Sequence, residues 1–422
     1  VQVALNDDGA RRRLTVFFRI LLVLPHYLWL GLWGIAAVVA AVITWLVTLV
    51  TARPPRGLHN FLALYVKYAT HVYAYLLLAA SPYPQFDGRP GYPLDVEIDP
   101  PSRQSRLTVA FRLVLAIPAL LLAGSLFGAS NTQVRGTGSV GYSVGIAQVA
   151  AFLGWFACLA LGRMPRGLRD SVAWGVGFSA QLWGYLFLLT PTYPDCDPAV
   201  VLGELPSPDA AVNLEVRDDR RRSRLTVLFR LPLAFPHLVW LTLWAVLAIA
   251  AAIANWIVTL LRGRQPAVLH AVLSAYVRYQ AHVTAFLALT ANQFPGFAGA
   301  AGSYPVEVSI APAERQNRWS VGFRLLLAVP AWILSGAYAS LLFVTAILGW
   351  FAALVTGRMP RGLRNAAAQV LRYSAQVSAY VFVLTENYPY AGPSHIRGTD
   401  EPARAVDDAP LPAAPAPAAA FG

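Results

Sequence analysis

Arginine, proline and histidine recur on a fixed frame in this sequence. Arg13, Arg106, Arg224 and Arg318 each precede an apolar run, Arg19, Arg112, Arg230 and Arg324 lie six residues on, and Pro25, Pro118, Pro236 and Pro330 six further. A guanidinium is permanently charged, and its planar fork matches a phosphate through two parallel hydrogen bonds. Set about a turn and a half inside an apolar run, its long stem can carry the charge back to the headgroups. These eight arginines are therefore expected to bind anionic lipid. The histidines recur as His26/His237, His59/His270 and His71/His282. Paired imidazoles can hold haem or a metal. Two of the four matching positions, however, carry Ala119/Ala331, Arg169/Arg364 and Gln181/Gln376 instead, so no cofactor and no metal is expected. Cys158 and Cys196 form no CxxC pairing. Nucleotide-binding, metalloprotease and nucleophile-elbow motifs are absent, and the apolar runs carry no carboxylate for a proton relay. No enzyme is expected.

The elements that hold these residues are those of a membrane protein. Of 422 residues 57% are hydrophobic and 13% charged, with mean hydropathy +0.51. The apolar residues come in runs of about 20 or more, long enough to span or enter a bilayer. The net charge of +12 is almost all arginine, Lys67 being the single lysine. Because these arginines flank apolar runs, the expected partners are membrane phospholipids, with this protein itself or other membrane proteins as further candidates, and not nucleic acid. The opening VQVALNDDGARRR has no apolar stretch of the kind a cleaved signal peptide needs.

The chain reads as four pseudo-repeats. RRRLTVFFRILLVLPH (11–26) recurs at 103–119, 220–237 and 315–331, each copy followed by Trp45, Trp155, Trp256 or Trp350 and an Arg/Pro stop. FLGWFACLALGRMPRGLR (152–169) and ILGWFAALVTGRMPRGLR (347–364) are nearly the same sentence twice. The units are 1–92, 93–208 with an inserted polar loop at 130–143, 209–303 and 304–398, and 399–422 is a disordered Ala/Pro tail. Short alternating stretches at 1–5, 94–99, 212–216 and 306–310 predict strands able to pair into one small sheet. The fold class is an all-α integral membrane protein with small cytoplasmic β-strands.

Each apolar run has two parsings, a hairpin of two spans or a kinked single long span. The insertion in the second unit aligns with the middle of the run near Gly34, and polar backbone is costly in lipid, so this point is expected to reach water. That favours the hairpin. Basic residues at both ends of each run then fall on one side, expected to be the cytoplasm in a multi-pass topology. The second helix of each unit, 58–80 and its counterparts, carries a polar stripe, Asn60, Lys67 and His71 in the first unit and Asn365, Gln369, Arg372 and Gln376 in the fourth. This predicts an amphipathic helix lying in the interface with the stripe solvated, the alternative being a true span whose stripe faces a bundle interior.

An apolar run ending in TGRMP, then Arg372, Tyr373 and Gln376 on a helix, Tyr380, and a Tyr388–Pro389 exit resembles the bacterial domain-of-unknown-function family numbered 4389. The fourth unit carries the pattern best. The second departs by its insertion and by Gly177–Phe178, the third by Ala267–Val268. The resemblance implies a bacterial cell-membrane protein and supplies no activity. The expected function is a non-enzymatic membrane protein that organises lipids or scaffolds a larger assembly. The alternative is a pseudo-fourfold pore or transporter with a polar path along Lys67, His71, Arg278, His282, Arg372 and Gln376; a haem-binding membrane subunit is a third reading.

Overall fold

The structure, a computed structural model, describes residues 2–5, 7, 9–128, 144–207 and 211–399. The loop 130–143 and the tail beyond Thr399 lie outside the described residues. The chain begins β1 (Gln2–Leu5), α1 (Arg13–Phe17), α2 (Arg19–Thr51) and α3 (Arg56–Leu76). It continues β2 (Leu94–Glu97), α4 (Arg106–Ala110), α5 (Arg112–Leu115), α6 (Ile117–Leu126), α7 (Ile146–Leu161), α8 (Arg166–Leu186) and α9 (Pro198–Leu202). Then follow β3 (Val212–Val216), α10 (Arg224–Leu228), α11 (Arg230–Arg262) and α12 (Ala267–Leu287), and finally β4 (Val306–Ile310), α13 (Arg318–Gly322), α14 (Arg324–Thr356) and α15 (Arg361–Val381).

The hairpin is overturned. α2, α11 and α14 are unbroken helices of 33 residues, each with its proline inside, and each is long and apolar enough to cross a membrane. Nothing at Gly34, Ala245 or Ala339 breaks the ladder of backbone hydrogen bonds, which in an apolar setting has no better partner. Gly34 is instead a packing position, where an added Cβ would lie 3.1 Å from the Tyr65 hydroxyl. Only in 93–208 is the long helix divided, into α5–α6 and α7.

Each long helix buries one narrow stripe. On α2 this is Arg19, Val23, His26, Leu30, Ala37, Ala40, Thr44 and Thr48, which recur every three or four residues and so share one face. The other faces are apolar and exposed, from Ile20 (71%) to Val50 (71%). The stripe packs on the second helix of the same segment: α2 on α3, α7 on α8, α11 on α12 and α14 on α15. The second helices pack on one another as α3 with α8 and α12 with α15, and α14 meets α6 and α7 across the middle.

The strands form two separate two-stranded antiparallel sheets rather than one, with Gln2 opposite Glu97 and Val212 opposite Ile310. Each sheet lies on the second helices, β2 on α3, β4 on α12 and β3 on α15. The molecule is thus layered: lipid-type surface, long helices, second helices, sheets and loops. The expected solvated stripe holds only in part: on α3 Asn60 is exposed, Lys67 half-buried and His71 buried, and on α15 the stripe is buried between two layers. On α15, Asn365, Gln369, Arg372 and Gln376 are all buried.

Short helices stitch adjacent segments together reciprocally. Trp45 Nε1 donates to the Val109 carbonyl (2.9 Å) and Trp155 to Val16 (3.2 Å); Trp256 donates to Val321 (2.7 Å) and Trp350 to Val227 (2.9 Å). The backbone does the same, Arg11 N–H bonding to Gly162 O and Gln104 N–H to Ala52 O. The start of one long helix therefore abuts the end of its neighbour, and the two run in opposite senses.

Candidate functional site

Arg19, Arg112, Arg230 and Arg324 do not reach headgroups. They are 0–2% exposed, turned inward onto the carboxyl ends of the second helices. Arg19 donates to Ala80 O (3.2 Å), Arg230 to Ala291 O (3.2 Å) and Arg324 to Thr385 O (3.0 Å). Arg112 donates to Tyr185 O (2.7 Å) and to Thr190 O. Each guanidinium also lies over a ring, Tyr75 (4.2 Å to the centroid), Tyr185 (3.9 Å), Phe286 (4.4 Å) or Tyr380 (4.2 Å). The last carbonyls of a helix lack internal partners and carry the negative end of its dipole. A buried cation held between those carbonyls and a ring face is a structural anchor. The expected lipid-binding role of these four is corrected on that ground.

A second layer of the anchor escaped the sequence reading. Leu78, Leu188, Leu289 and Val383, just past the second helices, have left-handed φ of 66°, 61°, 57° and 60°. A bulky residue there costs on the order of 1–3 kcal/mol and persists only when its surroundings hold it. Here the carbonyl of each is gripped by a side chain: Arg11 on Leu78 (2.9 Å), Gln104 on Leu188 (2.7 Å), Arg222 on Leu289 (2.7 Å) and Gln316 on Val383 (2.8 Å). Arg11 and Arg222 are charge-balanced by Asp7 (2.7 Å) and Asp218 (2.6 Å). The signal was available, since each gripping residue stands eight positions before the ring-stacked arginine.

The other four predicted lipid contacts, Arg13, Arg106, Arg224 and Arg318, are exposed. Arg13 donates to Ala160 O (2.9 Å) and Arg224 to Val355 O (3.0 Å), capping the ends of α7 and α14 where a cation is favourable.

The residues of the expected polar path are consumed locally. His71 bonds Asp95 on β2 (3.1 Å), and Arg278 donates to Val308 O on β4 (3.1 Å). Arg372, 3% exposed, bonds Gln369, Gln376 and the carbonyls of Tyr390 and Gly392, while Gln376 donates to Val212 O on β3 (3.1 Å). His282 is buried and stacks on Tyr304, and Lys67 is half-buried. The stripes tie α3 to β2, α12 to β4 and α15 to β3, each strand belonging to the neighbouring unit, and α15 also to its own exit loop. Burial alone pushes the Asp95 carboxyl up, but hydrogen bonds from the Gly91 N–H, His71 and the Val96 N–H prevail and hold it below the ordinary value. Burial pushes the Asp197 carboxyl up, against the hydrogen bonds from the Ala199 N–H and Asn365.

His26 and His237 sit in matching aromatic cages. His26 Nδ1 meets the Tyr68 hydroxyl (2.6 Å) with its ring stacked on Phe86, and His237 meets Tyr279 (2.8 Å) and stacks on Phe297. His59 faces Leu189 O (3.2 Å) and His270 faces Ala311 O (3.1 Å). Hydrogen bonding and stacking account for these rings, and among the described residues no group of three His, Cys, Asp or Glu is placed to hold a metal.

The repeated GRMPRGLR has a spatial cause. An added Cβ at Gly167 would lie 2.9 Å from the Ala391 nitrogen, and one at Gly362 would strike Asp195. The exit loop of 304–398 thus crosses the start of α8, and the exit loop of 93–208 crosses the start of α15. At Gly57 nothing lies within 4 Å, and the matching position of the third segment is the exposed Val268.

No curated protein and no solved structure matches this chain. Residues 13–87, 224–298 and 318–391 each match the domain of unknown function DUF4389, while 93–208 lies outside these matches. The matched segments hold three of the four ring-stacked arginines, three of the tryptophan ties and all three unbroken long helices. Since they cover more than half of the sequence, the chain belongs to the DUF4389 family.

Proposed function

We propose that this chain is a non-enzymatic bacterial membrane protein that organises lipids or scaffolds a larger membrane assembly. The observation that carries the reading is the division of polar and apolar surface. Between their ends the long helices expose apolar and aromatic side chains, with Thr242, bonded to Leu238 O, as the exception; the ionisable groups next to them are used inside as anchors, and unburied arginines stand at the helix ends. A surface of that kind contacts acyl chains along its length and anionic headgroups at its margin. Segment 93–208 is a diverged fourth copy in this reading, since it keeps the anchor, the grip and the tryptophan tie.

In this reading the long helices lie along one leaflet, with both ends at the cytoplasmic face. Six residues link Leu5 to Arg11, just before the continuous pair α1–α2, a reach of about 21 Å, and seven link Glu97 to Gln104, bonded to Ala52 at the end of α2, about 25 Å. Leu5 and Glu97 belong to the same two-stranded sheet. Ends on opposite sides of a core about 30 Å thick would leave that sheet at mid-depth. There its open edges and the exposed Glu97 would have no water. A helix of 33 residues, about 50 Å, also overshoots such a core.

The test is lipid enrichment in reconstituted vesicles of mixed phosphatidylglycerol and phosphatidylcholine, read by energy transfer from tryptophan to labelled lipid. Phosphatidylglycerol should be enriched, and the triple variant Arg106→Gln, Arg224→Gln, Arg318→Gln should lower the enrichment. Equal transfer to both lipids in the wild type overturns the reading.

A further inference from the structure

We propose that the cleft between α7 and α14 is a binding site for one anionic phospholipid, its phosphate held at Arg163 and Arg166 and its acyl chains laid along the cleft. The proposal rests on the membrane-lipid reading above and adds a single defined site to it.

The cleft holds about 1370 Å³, beyond the roughly 300–1,000 Å³ usual for small-molecule pockets, and is open along one side. Its walls are apolar, with Phe152 and Phe156 on α7 facing Leu327, Pro330, Ile333 and Leu334 on α14. At one end stand Arg163 and Arg166, both exposed. Ala160 lines the same end, and Arg13 rests on its carbonyl, so a third exposed guanidinium adjoins the mouth.

Two nearby carboxylates among the described residues are already used. Asp7 is paired with Arg11, and Asp170 is paired with Arg169 and accepts from Tyr390 (2.7 Å). The matching arginine of the last segment differs, because Arg361 faces Asp197 (3.4 Å). Among the described residues no ion pair joins Arg163 or Arg166 to a carboxylate. An apolar trough ending in two exposed guanidinium forks complements a molecule with acyl chains and a phosphate. A soluble anion would leave the trough empty, and an uncharged lipid would leave the arginines unmatched.

Native mass spectrometry of the full chain, stripped in detergent and then offered phosphatidylglycerol or phosphatidylcholine, tests this. One phosphatidylglycerol should remain bound in preference to phosphatidylcholine. Its retention should fall about tenfold or more in Arg163→Gln, Arg166→Gln, where charge-assisted hydrogen bonds are lost. Ile333→Trp, which fills the trough and leaves the arginines in place, should lower it as well. Arg89→Gln, an exposed arginine paired with Asp87 outside the cleft, should not. Retention unchanged in both cleft variants overturns the site. So does loss in the arginine variant alone, which means a bare phosphate contact. A dimer displaced by lipid overturns it too, by making the cleft a contact between copies. Single-lipid retention in the Arg106, Arg224, Arg318 triple variant separates this site from the general enrichment, which can fail while the cleft still binds.

Discussion

Eight arginines on one frame divide into two populations with opposite physics. Arg112 is 2% exposed, bonds two carbonyls and covers the Tyr185 ring. Arg112→Ala strands those carbonyls, and we expect it to destabilise the protein by about 2–4 kcal/mol. Arg112→Lys should recover only part, because an ammonium lacks the fork. Arg106→Ala, at the exposed partner position, should change stability by less than about 0.5 kcal/mol. Thermal unfolding in detergent distinguishes the two, and equal losses would contradict the anchor. Asp95 carries a pH signature. Its folded-state pKa lies below the model-peptide value of 3.8, so the stability it supplies is present above that value and is lost as pH falls below it. Asp95→Asn should be less stable at neutral pH and should lose less stability on acidification below about pH 4.

Among the elements, the long helices are the clearest part of the sequence and also the place where its reading failed. Apolar runs of that length were bound to form membrane-type helices. The hairpin was inferred from an insertion that only 93–208 contains, where the helix is indeed divided; the uninterrupted segments stay whole, even past Gly34 and Gly336. The second helices were misplaced because a polar stripe looks the same whether it meets water or buried carbonyls. Gln376 and Arg372 meet the latter. The loop crossing at the start of α8 gives a sharp check. Gly167→Ala should cost about 1–3 kcal/mol by forcing apart α8 and the 391–392 loop. Gly57→Ala, with open space around it, should be neutral or stabilising by up to about 1 kcal/mol. Equal effects in thermal melts would mean that the crossing is not a close contact.

At the scale of the whole molecule the issue is orientation to the membrane. Cysteines placed at Arg12 and Arg53, both exposed and flanking α1–α2, should react with a membrane-impermeant maleimide from the same side of oriented vesicles. Labelling from opposite sides would make α2 a crossing helix and end the in-plane disposition. The native Cys158 and Cys196 are buried and give little background. The sequence alone determined the family, the predominance of helix over a few short strands, and the presence of helices apolar enough to cross a membrane, because composition and periodicity are local quantities. Where each arginine points was decided only by tertiary structure. The carbonyls that Arg19, Arg230 and Arg324 seek lie 61 residues away, and the two that hold Arg112 lie 73 and 78 away. A charge beside an apolar run has two ways to be satisfied, outward to phosphate or inward to a helix end and a ring. Only the fold brings the second within reach.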